Sequence, residues 1–207
     1  MENFGVYVII TKPVLPHTTI AEICVKNRIS MLQLREKDIS DRELLKIARD
    51  LRAVTRGTST RLVINDRPDI ARLCEADYLH LGQDDIDISD AREIAGPIKI
   101  GLSTHSPEQA VQALKQKPDY IGFGPIYPTN AKAKPDPPVG TNQLEQVLAI
   151  SDVPVVAIGG IFPENIGQVI AAGAKNIAMV RYFMQTTDFE KRVQEVQKQL
   201  EKGRQRT

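Results

Sequence analysis

Tryptophan is absent from this chain of 207 residues, and only two cysteines and three histidines occur in it. Cys24 and Cys74 both fall inside helical-looking segments with no ligand spacing around them, which argues against a disulfide framework or a zinc site and for core thiols. Without a His/Cys cluster there is nothing to favour a soft metal. An excess of either charge is also lacking. The net charge is +1, so no global field points to nucleic acid or to a membrane surface, and electrostatic recognition has to be local. Long apolar runs are missing as well. The opening "MENFGVYVII" carries an acidic residue, no basic stretch and too few apolar residues for a signal peptide or a span. A soluble protein in a reducing, cytoplasmic setting is expected, with no nucleic-acid or membrane partner. No linker or low-complexity stretch divides residues 1–207, so a single domain is expected.

What the chain does contain is a rhythm. Apolar, β-branched runs at 6–11, 31–36, 61–66, 78–83, 98–104, 120–126, 153–160 and 176–181 read as strands. Amphipathic segments such as "SDRELLKIARDLRAVTR", "SPEQAVQALKQK" and "PENIGQVIAAG" lie between them, and Ser40, Ser106 and Thr186 look like helix caps. Near-continuous apolar strands that alternate with helices imply a parallel sheet covered on both faces. Eight such units in this length match an α/β fold of the single (β/α)8, TIM-barrel type. A doubly wound open sheet is the alternative, but it leaves the count of eight unexplained, and no GxGxxG turn follows the first strand. The longest irregular piece, 127–143, lies between the sixth strand and its helix and reads as an active-site loop.

Barrel active sites occupy the C-terminal ends of the strands, and here those ends are polar. Strand two is followed by Gln33, Arg35 and Lys37, strand three by Asn65, Asp66 and Arg67, and strand four by Gln83, Asp84 and Asp85. Strand five adds Ser103 and His105, strand six Thr129 and Lys132, strand seven Gly159 and Gly160, and strand eight Val180 and Arg181. Asp66 and Asp85 come from neighbouring strands and can converge on one ion. A few hard oxygen ligands with room for phosphate suit Mg²⁺ held through a substrate diphosphate. Arg35, Lys37 and Lys132 would meet the remaining phosphate charge. Gly160 and the eighth strand occupy the usual barrel phosphate site, which points to a second phosphorylated ligand. Two phosphate sites and one hard metal describe a joining reaction better than a hydrolysis, and no Ser-His-Asp or Cys-His arrangement suggests covalent catalysis. His105 is placed either to titrate or to make a structural hydrogen bond. His80 reads as a satisfied barrel histidine, and His17, ahead of the first helix, as solvated.

The segments "QLREKD", "VINDRPDIA", "LHLGQDD", "GLSTHS", "GFGPIYPTNAK", "VPVVAIGGI" and "NIAMV" resemble, in order and spacing, the motifs of the thiamine phosphate synthase family. The resemblance runs from about residue 6 to residue 185. It implies a (β/α)8 transferase of thiamine biosynthesis with Mg²⁺ as cofactor. Such an enzyme joins hydroxymethylpyrimidine diphosphate to a thiazole phosphate by a dissociative route, releasing thiamine phosphate and diphosphate. Position by position it implies pyrimidine-diphosphate contacts at Gln33, Arg35, Lys37 and Asn65, and magnesium ligands at Asp66 and Asp85. It places diphosphate-side contacts at Ser103 and Lys132, and thiazole-phosphate contacts at Thr129, Gly160, Val180 and Arg181. Catalytic roles would fall to Arg35, Lys37, Ser103 and Lys132. Ala131, Arg181 and Tyr182 depart from the small or hydroxyl residues that the family commonly has there. Arg181 is either an outer salt-bridge residue or a phosphate clamp that replaces the hydroxyl missing at Ala131. Two rivals share the resemblance: a thiazole tautomerase of a related branch, which typically lacks the metal aspartates, and a non-catalytic sensor, which would not need them. Nothing in the sequence decides between a monomer and a homo-oligomer.

Overall fold

The computed structural model describes residues 3–129 and 136–204. Eight parallel strands close into a barrel in chain order: β1 (Val6–Ile10), β2 (Met31–Leu34), β3 (Arg61–Asn65), β4 (Tyr78–Leu81), β5 (Lys99–Thr104), β6 (Tyr120–Phe123), β7 (Val155–Ile158) and β8 (Asn176–Met179). The helices are α1 (His17–Lys26), α2 (Asp41–Thr55), α3 (Pro68–Leu73), α4 (Ile88–Ala95), α5 (Pro107–Lys115), α6 (Gly140–Ile150), α7 (Ile166–Ala171), α8 (Arg181–Met184) and α9 (Phe189–Arg204). No described helix is long and apolar enough to cross a membrane. All eight expected strands are present, each ending within a few residues of the expected boundary. Cys24 and Cys74 are buried free thiols, as expected.

Two capping expectations hold. Ser40 accepts from Glu43 N ahead of α2, and Ser106 accepts from Gln109 N ahead of α5, with Pro107 at the first helical position. Three local expectations are corrected. Thr186 does not cap α9, because its hydroxyl accepts from Asp188 N at 3.0 Å and closes a turn before the helix begins at Phe189. The "PENIGQV" helix starts only at Ile166. The Asn165 side chain donates to Gly160 O and accepts from Phe162 N, at 2.8 Å each, and so holds the preceding residues in a turn. The irregular piece after β6 ends at Val139 rather than 143, since α6 begins at Gly140.

The strands bury both faces. Outward residues such as Val8, Leu32, Leu62, Leu79 and Ile177 pack against the helices. Phe4, Tyr7, Ile9, Met31, Val63, Tyr78, Tyr120, Val156 and Ala178 fill the lumen. Phe4 plugs the N-terminal end. Its ring stands edge-on to Tyr78 and Tyr120, and Asn176 Oδ1 accepts from the backbone N–H groups of Phe4 and Gly5. The floor is therefore solid, and the polar strand ends gather at the opposite mouth.

Candidate active site

The Asn-Asp-Arg that ends β3 splits into three jobs. Asn65 is the last ladder residue and pairs with His80 of β4. Asp66 turns out of the strand at φ 61°, a left-handed conformation that aspartate tolerates better than most residues, and its N–H donates to His80 O at 2.9 Å. Arg67 leaves the mouth altogether. It forks onto Asp69 at 2.9 and 2.6 Å and reaches Asp41 at 2.6 Å, fastening α3 to the start of α2.

Asp66 faces Asp85, as expected from neighbouring strands. Lys37 Nζ lies 2.7 Å from Asp66 Oδ2, and Gly82 N donates to Asp85 Oδ2 at 2.6 Å. Burial raises the Asp85 carboxyl above its ordinary range. The Gly82 N–H opposes that rise, and the adjoining Asp66 carboxylate, within hydrogen-bonding reach, adds to it. Two acidic groups this close disfavour each other's charge unless a cation lies between them. Among the described residues there is no cluster of three or more His, Cys, Asp or Glu side chains for a metal. The donor set is thus two hard carboxylates, suited to an ion that takes its remaining ligands from water and from a phosphorylated substrate. The residues fit Mg²⁺.

"QLREKD" is anchored by a residue the sequence did not single out. Glu36 accepts from Lys12 N at 2.9 Å and from the His17 ring at 3.0 Å. His17 is the first residue of α1 and is paired and partly buried rather than solvated, a correction that follows from the start of α1 meeting the segment after β2. With Arg35 N bonded to Ile10 O, this tie fixes the strand end that carries Arg35 and Lys37 at the mouth.

Inside the lumen, five side chains form one hydrogen-bonded chain. Gln33 Nε2 lies 2.7 Å from Tyr7 Oη, Tyr7 Oη 2.9 Å from Tyr120 Oη, Tyr120 Oη 2.8 Å from His80 Nδ1, and His80 Nε2 2.8 Å from Ser103 Oγ. His80 is the satisfied barrel histidine expected. The chain joins two residues expected in the site, Gln33 and Ser103, through two tyrosines that a sequence reading assigns to the core. Tyr7 lies one inward position below Gln33, level with Met31, and Tyr120 lies level with Gly101, so no pairing along the strands marks them.

Beyond Ser103 a separate cavity of about 120 Å³ opens on the β5–β8 side of the mouth. Its lining includes Ser103, His105, Thr129, Gly160, Val180 and Arg181. All four expected thiazole-phosphate residues thus meet in one place, with Ser103 at the border of the metal sector. Gly159 (φ 95°) and Gly160 (φ 67°) adopt left-handed conformations, and a Cβ on either would fall 2.5–2.6 Å from Pro125 or Tyr127. The Arg181 guanidinium lies 5.4 Å from the centre of the Phe162 ring, which also lines the cavity, and among the described residues it forms no outer salt bridge. Tyr182 turns the other way. It donates to Glu195 at 2.7 Å and packs under Arg192, so it does not alter the pocket. His105 donates from Nδ1 to Gly124 O at 2.6 Å, a structural bond, and its Nε2 lies 3.6 Å from Asp136 Oδ2 in the cavity wall. Lys132 and Ala131 lie outside the described residues.

A closed parallel barrel with paired carboxylates, a lysine and a phosphate-sized cavity on one rim defines a (β/α)8 enzyme. Residues 6–183 match the family described as thiamine monophosphate synthase. The chain is 43% identical to the thiamine-phosphate synthase of Chlorobium phaeovibrioides over 173 residues, 83% of each chain. It is 41% identical to that of Methanospirillum hungatei over 180 residues, 85% of this chain and 87% of the other. Among solved structures it superposes on the thiamine phosphate pyrophosphorylase of Pyrococcus furiosus with a TM-score of 0.87 at 32% identity, covering 97% of this chain and 96% of the other. The chain belongs to the thiamine monophosphate synthase family and is a transferase.

Proposed function

We propose that the chain catalyses the Mg²⁺-dependent transfer of the aminopyrimidinylmethyl group from its diphosphate to the ring nitrogen of a thiazole phosphate. The products are thiamine phosphate and diphosphate. The observation that carries this reading is the division of the mouth. Adjoining Asp66 and Asp85 lie beside Lys37 in one sector, and a separate cavity with Gly160 and Arg181 occupies the other, with Ser103 between them.

Asp66 and Asp85 would hold the Mg²⁺, which when bound neutralises charge on the departing diphosphate. Lys37 and Arg35 supply fixed positive charge to the same leaving group, Arg35 by a bidentate fork. Ser103 donates a hydrogen bond to it, and Lys132 serves there by resemblance alone. Gln33 and Asn65 orient the pyrimidine. Its exocyclic C–O bond breaks first, the aminopyrimidine delocalises the resulting positive charge, and the thiazole nitrogen then forms the new C–N bond. Thr129, Gly160, Val180 and Arg181 hold the thiazole phosphate so that its nitrogen faces that carbon. Such placement replaces a bimolecular encounter by a near-unimolecular one. A cytoplasmic setting belongs to the same proposal, supported by the two buried free thiols.

The test is an assay of purified protein with Mg²⁺ and both synthetic substrates, with thiamine phosphate read by its oxidation to fluorescent thiochrome. Product should form, stop on chelation and return with added Mg²⁺. Product in excess chelator, or none with Mg²⁺, would refute the reading.

A further inference from the structure

Read from Gln33, the five-membered chain in the lumen has one arrangement in which each member gives its hydrogen to the next. Gln33 Nε2 can only donate, so Tyr7 Oη accepts from it. In that arrangement the single Tyr7 hydrogen goes to its other neighbour, Tyr120 Oη. Tyr120 in turn gives its single hydrogen to His80 Nδ1. A neutral imidazole that accepts at Nδ1 carries its proton on Nε2, so Nε2–H donates to Ser103 Oγ. With its oxygen so engaged from behind, Ser103 would keep its own hydrogen for a partner in the mouth.

We infer that Tyr7, Tyr120 and His80 are positioning residues, which carry the orientation of the Gln33 amide to Ser103 and set its hydroxyl as a donor to an anionic oxygen of the departing group. This rests on the reading of Ser103 under Proposed function. Both phenols are buried, and burial pushes their ionisation well above the ordinary range, so each keeps one hydrogen to pass on. The fold makes room for the chain. A Cβ at Gly101 would lie 2.0 Å from Tyr120 Cζ, and Gly122 lies across from the His80 ring. The His80 and Tyr120 rings stack at 5.5 Å and 25°. A donor fixed before the substrate arrives needs no reorientation as charge develops.

With three histidines in the sequence, the ¹⁵N spectrum of the free protein is simple, and His80→Gln identifies the His80 signals by their loss. His80 should show a protonated, pyrrole-type Nε2 and an imine-type Nδ1. Gln33→Glu replaces the donor by a carboxylate that only accepts, so the chain reverses and the proton should move to Nδ1. If that variant does not fold, Tyr7→Phe cuts the same chain with its ring retained and should abolish the preference for Nε2. A wild-type proton on Nδ1, or a tautomer indifferent to these changes, overturns the inference. Turnover supplies an independent reading. Tyr120→Phe should lower kcat on the order of ten-fold with KM little changed, less than the hundred-fold or more expected for losing a direct donor. Added to Ser103→Ala it should cost nothing further, because it acts through that hydroxyl. Additive losses would overturn the inference. A wild type without synthase activity would instead refute the assigned reaction, and the tautomer would still decide the direction of the chain.

Discussion

Asp66 shares its oxygens between Lys37 and the space facing Asp85, and it does so from a left-handed backbone position. Asp66→Asn keeps the shape and removes the charge. It should leave the thermal midpoint within a few degrees, because the Arg67 fork that fastens α3 is untouched. Turnover should fall by about a hundred-fold or more, the scale on which an electrostatic stabiliser of a leaving group acts. Circular dichroism and the thiochrome assay together check both halves. Normal turnover in Asp66→Asn would remove the aspartates from the chemistry. Arg181 offers the complementary case on the other side of the mouth. It lines the cavity beside Phe162, and hydrogen bonds to a charged group contribute roughly 1.5–3 kcal/mol each. Arg181→Ser should raise the KM for the thiazole phosphate about ten-fold, which is some 1.4 kcal/mol, and leave that for the pyrimidine diphosphate unchanged. Equal effects on both substrates would show that the guanidinium does not bind the phosphate.

At the scale of elements, β5 and β6 meet through an absence: Gly101 has no side chain where the Tyr120 ring needs space. Gly101→Ala places a methyl inside that ring, an overpacking that costs about 1–3 kcal/mol. Turnover should fall in molecules that remain folded, because the displaced phenol no longer meets His80. A denaturation curve and kcat measured below its midpoint separate the two effects, and a variant with unaltered kcat would mean that the ring is not needed in place. The same pair shows how far the sequence could be read. The strands were legible because burial on both faces demands unbroken apolar runs, as in Leu62-Val63-Ile64. The rim was legible because carboxylates, lysine and arginine after such runs have no business in a core. Tyr7 and Tyr120 were not legible, because a phenol on a strand satisfies the pattern of a core residue whether or not its hydroxyl has a task. His17 and Glu36 were missed for a related reason. Their meeting depends on how the start of α1 comes to lie beside the segment after β2, which no local pattern encodes. The late start of α7 reflects one amide, Asn165, preferring a turn to a helix.

For the molecule as a whole, closure of the sheet pairs both edges of every described strand, and the lumen is packed from the floor up to Gln33. Phe4, only 4% exposed, touches neither carboxylate sector nor cavity. Phe4→Ala should cost about 3–5 kcal/mol of stability by the usual scale for a buried aromatic. Its kcat below the melting transition should stay near the wild-type value, checked by a melt alongside the assay. A kcat lost in step with stability would mean that the floor also shapes the site. A sealed floor has a further consequence, which concerns traffic. The barrel is a cul-de-sac: in the proposed reaction both substrates would go in and both products would come out through one doorway. With the carboxylate sector and the cavity side by side at that doorway, neither ligand has to pass through the other's place on its way in or out.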